Sequence, residues 1–269
     1  MNDWFRRNDI IEGDCVSCMS KMDSDTIDLT VTSPPYDQLR DYKGYSFDFE
    51  NTAKQLYRIT KPGGVVVWVV GDSVINGSES GTSFKQALYF KEIGFNLHDT
   101  MIYQKASSSL PDPTRYYQSF EYMFVLSKGK PKTINLLKDR KNSTSGKSIN
   151  SGTTIRGKDG ITRRRTNMRD TREYGLRWNV WEYQVGWKKT TTDDYAFKHP
   201  AMFPEALAKD HILTWSNERD LVLDPFAGSG TTLKMAKQNN RDYLGIEMSE
   251  EYIEIIRKRL EQDAIQKYF

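Results

Sequence analysis

Leu221-Val222-Leu223-Asp224-Pro225-Phe226-Ala227-Gly228-Ser229-Gly230-Thr231-Thr232-Leu233 is the stretch that decides the fold. Three aliphatic residues make a short buried strand, and a carboxylate closes it. The glycines then let the backbone turn sharply and approach a ligand closely at the carboxyl edge of a sheet. Residues 233–238 continue as a helix, and residues 243–247, Tyr-Leu-Gly-Ile-Glu, form the next strand. The turn is not a dinucleotide fingerprint, because Leu233 stands where a third glycine is needed. A pyrophosphate cofactor is therefore disfavoured. Glu247 closes its strand 23 residues after Asp224, where a carboxylate can accept both ribose hydroxyls of a nucleoside. Thr231 or Thr232 also suits the N-cap of the following helix, which is a purely structural use of the same turn.

The same alternation recurs toward the N-terminus. Residues 27–32 form a β-prone run that ends on Ser33-Pro34-Pro35-Tyr36. Neither proline can donate to a ladder, so the strand stops in a rigid turn. Residues 15–22 before it read as a short helix. Residues 49–59 after it carry Phe49, Ala53, Leu56 and Tyr57 at helical spacing and stop at Lys61-Pro62-Gly63-Gly64. Residues 65–70 are apolar on both faces, as in a central strand. Further helices are predicted at 84–93, 201–214 and 250–265, and further strands at 97–104 and 121–126. Strands alternating with helices on both sides of an irregular middle predict one doubly wound, Rossmann-like α/β sheet with an insertion. The boundaries read as 1–130 for the first half, 131–195 for the insertion and 196–269 for the second half.

The 269 residues carry 39 Lys/Arg and 36 Asp/Glu, a net charge of +3. That near-neutral average hides an asymmetry. Residues 138–177 hold 12 basic and 4 acidic residues, leaving 27 and 32 for the rest. One segment at +8 on a body at −5 points to a local anionic partner such as nucleic acid, or to a solvated basic loop. No apolar run approaches the roughly 20 residues that span a bilayer, and the N-terminus has no signal-like apolar region. A soluble, cytoplasmic protein is expected. Cys15 and Cys18, the only cysteines, exclude a disulfide framework. No second pair completes a zinc site and no strand is expected before them, so they read as residues of a core-facing helix, and no metal is expected.

Asp224-Pro225-Phe226-x-Gly228-x-Gly230-Thr231-Thr232 resembles the S-adenosylmethionine loop of the amino-group DNA methyltransferases, and Ser33-Pro34-Pro35-Tyr36 resembles their catalytic tetrad. The order (tetrad, basic segment, cofactor loop) is that of the β group of this family, and the likeness covers about residues 9–130 and 196–269. It implies a methyltransferase of the α/β class with S-adenosylmethionine as cofactor and double-stranded DNA as partner. A second copy of the chain and a cognate restriction endonuclease are further partners that the resemblance admits. It also implies that His199 and Phe203, in His199-Pro200-Ala201-Met202-Phe203-Pro204, lie beside the methionine part of the cofactor. Gly13-Asp14-Cys15 resembles the segment near the adenine, with Asp14 as an acceptor. The plainer readings are a proline-bounded helix start and a helix N-cap.

An exocyclic amino nitrogen is a poor nucleophile because its lone pair is delocalised into the ring. Acceptors for its N–H groups help it pyramidalise. The Ser33 hydroxyl and Pro34 carbonyl are neighbouring acceptors held by two rigid prolines, and Tyr36 can stack on the base. No tetrad cysteine and no Pro-Cys dipeptide occur, which excludes C5-cytosine methylation through a thiolate. The target base must leave the duplex to reach the pocket. Residues 37–45 read as a loop that closes over it, with Arg40 and Lys43 on phosphates. In the insertion, Arg163, Arg164, Arg165, Arg169 and Arg172 are the candidate DNA contacts. Tyr174, Trp178, Trp181, Tyr183 and Trp187 read as a small local core. Residues 138–160 read as disordered without DNA. Serine at the first tetrad position leans the target toward cytosine N4, with adenine N6 as the alternative. An RNA or amide methyltransferase and a non-catalytic DNA-binding module are the rival readings.

Overall fold

The computed structural model describes residues 5–35, 47–106, 114–143, 145, 154–164, 172–199 and 202–266. The chain divides into two compact units, Met1–Asn135 with Asn179–Phe269, and Leu136–Trp178.

The first unit opens with β1 (Asp9–Glu12), α1 (Cys15–Ser20), β2 (Ile27–Thr32), α2 (Phe49–Ile59) and β3 (Thr60–Val70). A two-residue hairpin, β4 (Val74–Ile75) and β5 (Ser78–Glu79), leads to α3 (Thr82–Glu92), β6 (Asn96–Lys105) and β7 (Phe120–Ser127). The second unit holds β8 (Arg140–Lys141), β9 (Thr154–Arg156), β10 (Thr162–Arg164) and β11 (Tyr174–Gly175). The first unit resumes with β12 (Val180–Tyr183), a 3-10 turn at Asp194–Lys198, α4 (Glu205–Trp215), β13 (Leu221–Asp224), α5 (Thr231–Gln238), β14 (Asp242–Glu247) and α6 (Glu250–Gln266).

Eight strands form one sheet in the order β1-β14-β13-β2-β3-β7-β6-β12. Pairing is parallel from β1 to β3, antiparallel on both sides of β7, and parallel again between β6 and β12. The two halves of the sequence meet where β13 pairs with β2, Val222 beside Leu29 and Leu223 beside Thr30. There the strand order reverses direction, and a crevice opens beyond the carboxyl ends. The all-apolar run 65–70 is buried at the sheet centre. Trp68 is wholly buried and donates its indole N–H to Gln86 Oε1 at 2.8 Å. Phe90 packs edge-on against it at 5.2 Å.

Several boundaries differ from the sequence reading for identifiable reasons. β3 starts at Thr60, ahead of the Lys-Pro-Gly-Gly stop, because Gly63, at φ +80°, lets the chain bulge and keep pairing: Ile27 lies opposite Thr60, with a register shift before Leu29. α4 starts at Glu205 and not near 201, because Pro204 occupies the N-cap and disfavours helix for the residue before it. β1 is a strand the sequence does not announce, and it precedes the two cysteines. Its four residues have no apolar alternation of their own, and it exists by pairing with β14.

The aromatic cluster divides. Trp181 and Tyr183 are buried on β12, which pairs with β6 in the main sheet, whereas Tyr174, Trp178 and Trp187 are exposed. A single local core is therefore corrected to two residues of the main sheet and three surface ones. The insertion bounded at 131–195 likewise narrows to Leu136–Trp178, since the pairing of β12 with β6 draws the chain from Asn179 onward into the first unit.

Within the second unit, β8 pairs with β11 and β9 with β10. Segment 138–160, read as disordered, thus contains the strands β8 and β9. Arg177 is ion-paired with Asp139, and the Arg140 guanidinium lies 5.0 Å over the Trp178 ring. Among the described residues, no helix is long and apolar enough to cross a membrane.

Candidate active site

Strands β2 and β13 end side by side, and their last residues are joined. Thr32 Oγ1 donates to Asp224 Oδ1 at 2.7 Å, and the backbone N–H of Phe226 donates to the same oxygen at 3.1 Å. Thr232, at the start of α5, donates back across the same seam to the Val31 carbonyl at 3.0 Å. The glycine loop and the Ser33-Pro34-Pro35 turn therefore spring from one hydrogen-bonded corner. Burial pushes the Asp224 carboxyl up to about 6, against the lowering effect of the bonds from Thr32, Phe226 and Thr232.

Beyond this corner lies a cavity of about 690 Å³. Asp14, Cys15, Ser33, Pro34, Pro35, His199, Phe203, Asp224, Pro225, Phe226, Gly228, Thr231 and Glu247 all line it. Gly230 and Thr232 do not. Gly230, at φ +79°, turns the chain into α5, and Thr232 is spent on β2. Tyr36, Arg40, Lys43, Arg165 and Arg169 lie outside the described residues, as does the side chain of Arg164. Arg163 and Arg172 belong to the second unit. Arg163 is exposed and ion-paired with Asp159, and Arg172 is exposed.

Each lining group has a local cause. Gly228 has φ +52°, and a Cβ there would fall 2.8 Å from His199 Nε2, so only glycine fits under the imidazole. His199 is itself packed edge-on against Tyr252, 4.5 Å between ring centres. The Glu247 carboxylate is aimed by three backbone donors: Gly228 N–H on Oε2 at 2.7 Å, and Met248 and Ser249 N–H on Oε1 at 3.0 Å each. A carboxylate offers about four acceptor positions, so one remains for a ligand hydroxyl. Asp14 caps α1 by accepting from Ser17 N–H at 2.8 Å while its residue lines the cavity. Phe226 packs edge-on against Phe47 at 5.3 Å. Burial pushes the Cys15 thiol up to about 12, which leaves it protonated and unfit as a nucleophile.

The sequence reading missed the opposite wall. Tyr103 and Lys105 on β6 and Glu121 on β7 also line the cavity, with Lys105 Nζ 2.6 Å from Glu121 Oε1. Burial first, and the Glu121 charge second, raise the Tyr103 hydroxyl well above the ordinary tyrosine value. No local motif marks these residues. Only the cross-strand register, Tyr103 opposite Glu121, brings them together.

The DNA methylase family model matches residues 27–258. The chain belongs to that family. The methylase is 63% identical over 241 residues to the orphan methyltransferase M.BamHII of Bacillus amyloliquefaciens, which covers 89% of this chain and 91% of that relative. It is 27% identical to the DNA adenine methyltransferase YhdJ of Escherichia coli K12, over 94% of this chain and 82% of the relative. Among solved structures, the PvuII DNA methyltransferase, described as cytosine-N4-specific, superposes with a TM-score of 0.65 at 20% identity, covering 94% of this chain and 86% of that one. The last likeness is one of fold.

Proposed function

We propose that the methylase transfers a methyl group from S-adenosylmethionine to the N4 amino nitrogen of a cytosine flipped out of double-stranded DNA. One observation carries the reading: the Thr32–Asp224 hydrogen bond of 2.7 Å joins the tetrad strand to the cofactor strand, so both motifs face one cavity. The lining fits the cofactor. The turn at Gly228 leaves no room for a side chain, and Glu247 keeps one acceptor position for a single ribose hydroxyl, not for both. The family resemblance gives Asp14 to the adenine, and His199 and Phe203 to the methionine part, and all three line this cavity.

S-adenosylmethionine supplies an electrophilic methyl group on a sulfonium. The chain's own part is positional and electrostatic. The Ser33 hydroxyl and Pro34 carbonyl accept the amino N–H groups, so the nitrogen lone pair turns from the ring toward the methyl carbon. Tyr36 stacks on the base and fixes its plane. No strong base is needed, because the methylated ammonium is itself acidic. Ser33 offers a neutral acceptor, which suits the smaller cytosine ring.

Adenine N6 is the second reading, favoured by the likeness to an adenine methyltransferase. Nucleoside mass spectrometry of duplex DNA methylated in vitro tests the proposal. N4-methylcytosine is the expected product. N6-methyladenine without N4-methylcytosine would move the assignment to adenine. Methylation of RNA in preference to duplex would overturn the choice of substrate.

A further inference from the structure

A buried cluster of four charges lies behind the glycine loop, outside the cavity lining. Arg259 of α6 has a wholly buried side chain, and each of its N–H groups has an acceptor in reach. Nε donates to Asp193 Oδ2 at 2.8 Å. Nη1 donates to the Ser229 carbonyl at 2.7 Å, with Ser229 Oγ and Thr231 Oγ1 at 3.2 Å. Nη2 donates to Glu205 Oε1 and to Thr191 Oγ1. Lys234 of α5 completes the cluster, 2.8 Å from Asp193 and 2.9 Å from Glu205. Two carboxylates and two cations leave no net charge.

Stability alone is a weak reason for this arrangement. Desolvating buried ions costs several kcal/mol each, and well-packed apolar residues often serve a fold as well. What the ions add is direction. Ser229 stands between Gly228 and Gly230, both at positive φ, so its peptide has few steric limits on its orientation. The Arg259 fork, which does not line the cavity, holds that carbonyl and the Ser229 and Thr231 hydroxyls, and both of these residues line the cavity. The same fork holds Thr191 and Asp193, one and three residues after the cavity-lining Thr190, and Glu205, which opens α4 and bonds its N–H to Thr190 O at 3.1 Å.

We propose that Arg259 is a positioning residue for cofactor binding. Its buried fork locks the Ser229 peptide of the glycine loop to the 186–193 turn and to the start of α4, and so holds the cavity in the shape that accepts the cofactor. The proposal rests on reading the cavity as the S-adenosylmethionine site.

Two variants test it. R259K keeps the charge but not the fork. E205Q/R259M keeps the cluster neutral, with the Lys234–Asp193 pair intact. Calorimetry gives the cofactor Kd, steady-state kinetics separate KM from kcat, and a melting scan reports folding. The double variant should bind S-adenosylmethionine roughly tenfold or more weakly, the loss of about one net hydrogen bond to a charged donor. Its cofactor KM should rise in parallel, while kcat at saturating cofactor stays within about threefold, because Arg259 does not line the cavity. R259K should fall between it and the wild type. A folded variant with a lowered melting temperature but wild-type cofactor Kd would reduce the cluster to a structural role and overturn the proposal. So would a loss of kcat with unchanged KM. If E205Q/R259M does not fold, the Kd of R259K decides. Failure of the wild-type protein to bind S-adenosylmethionine would instead sink the reading of the cavity.

Discussion

Arg259 and Arg163 show two opposite uses of a guanidinium in one chain. Arg259 has no exposed surface and spends its whole fork on the corner behind the glycine loop. Arg163 is 60% exposed and holds a carboxylate four residues away, on the hairpin of the second unit. The contrast extends to their surroundings. At the carboxyl edge of β2 and β13, Thr32, Asp224, Thr232 and Glu247 are each tied to a backbone or side-chain partner, and the arrangement is rigid. In the second unit, Arg156 and Arg163 stand exposed on a two-stranded ribbon, where salt screens them and another anion can replace the internal one. The difference suggests a division of labour, with chemistry at the edge of the first unit and grip on the polyanion in the second.

The largest effect expected on this contrast comes from the rigid side. Gly228→Val must place a β-branched residue at φ +52° against His199. Cofactor affinity should fall by about a hundredfold or more, with duplex affinity nearly intact. Calorimetry on the folded variant that finds wild-type cofactor binding would break the assignment of the loop.

A second effect arises at Asp224, whose carboxyl is raised to about 6 by burial. A cationic sulfonium nearby favours the ionised form, so binding below that pH must expel a proton. Cofactor affinity should therefore fall as pH drops through about 6, by up to about tenfold per pH unit. The sign for the free protein is opposite. The stability Asp224 contributes is present below the ordinary carboxylate pKa and lost as pH rises through about 6. Asp224→Asn should flatten the binding profile between pH 5 and 7.5. An unchanged profile in that variant would contradict this role of Asp224.

The same contrast explains what could be read from the chain alone. The glycine loop and the Ser-Pro-Pro turn are contiguous, and each comes after an apolar strand, so local chemistry marks them. β1 and β12 are edge strands whose pairing partners lie far away in sequence, and nothing within Asp9–Glu12 calls for a strand without β14. Lys105 and Glu121 read as ordinary polar strand ends until the β6–β7 register sets Tyr103 opposite Glu121 and brings the Lys105 ammonium to its carboxylate. Asp193, Glu205, Lys234 and Arg259 come from a loop and three helices and look like solvated charges, because burial of a charge depends on partners that no local pattern reveals. Thr232 shows the converse. Its motif suggests a cofactor contact, but its hydroxyl is used to bind Val31 of β2.

The division of labour is tested most directly by one experiment on the neutralised triple variant R163Q/R164Q/R165Q. Single-turnover methyl transfer is measured at saturating S-adenosylmethionine across a duplex titration at two salt concentrations. Duplex binding should weaken, with the salt slope reduced by up to about 0.9 log unit per log salt for every phosphate that the variant no longer neutralises. The transfer rate at saturating duplex should stay within about threefold of wild type, because grip on the duplex and methyl transfer are separate tasks in this division of labour. An unchanged duplex affinity and salt slope, with a collapsed rate at saturation, would contradict it.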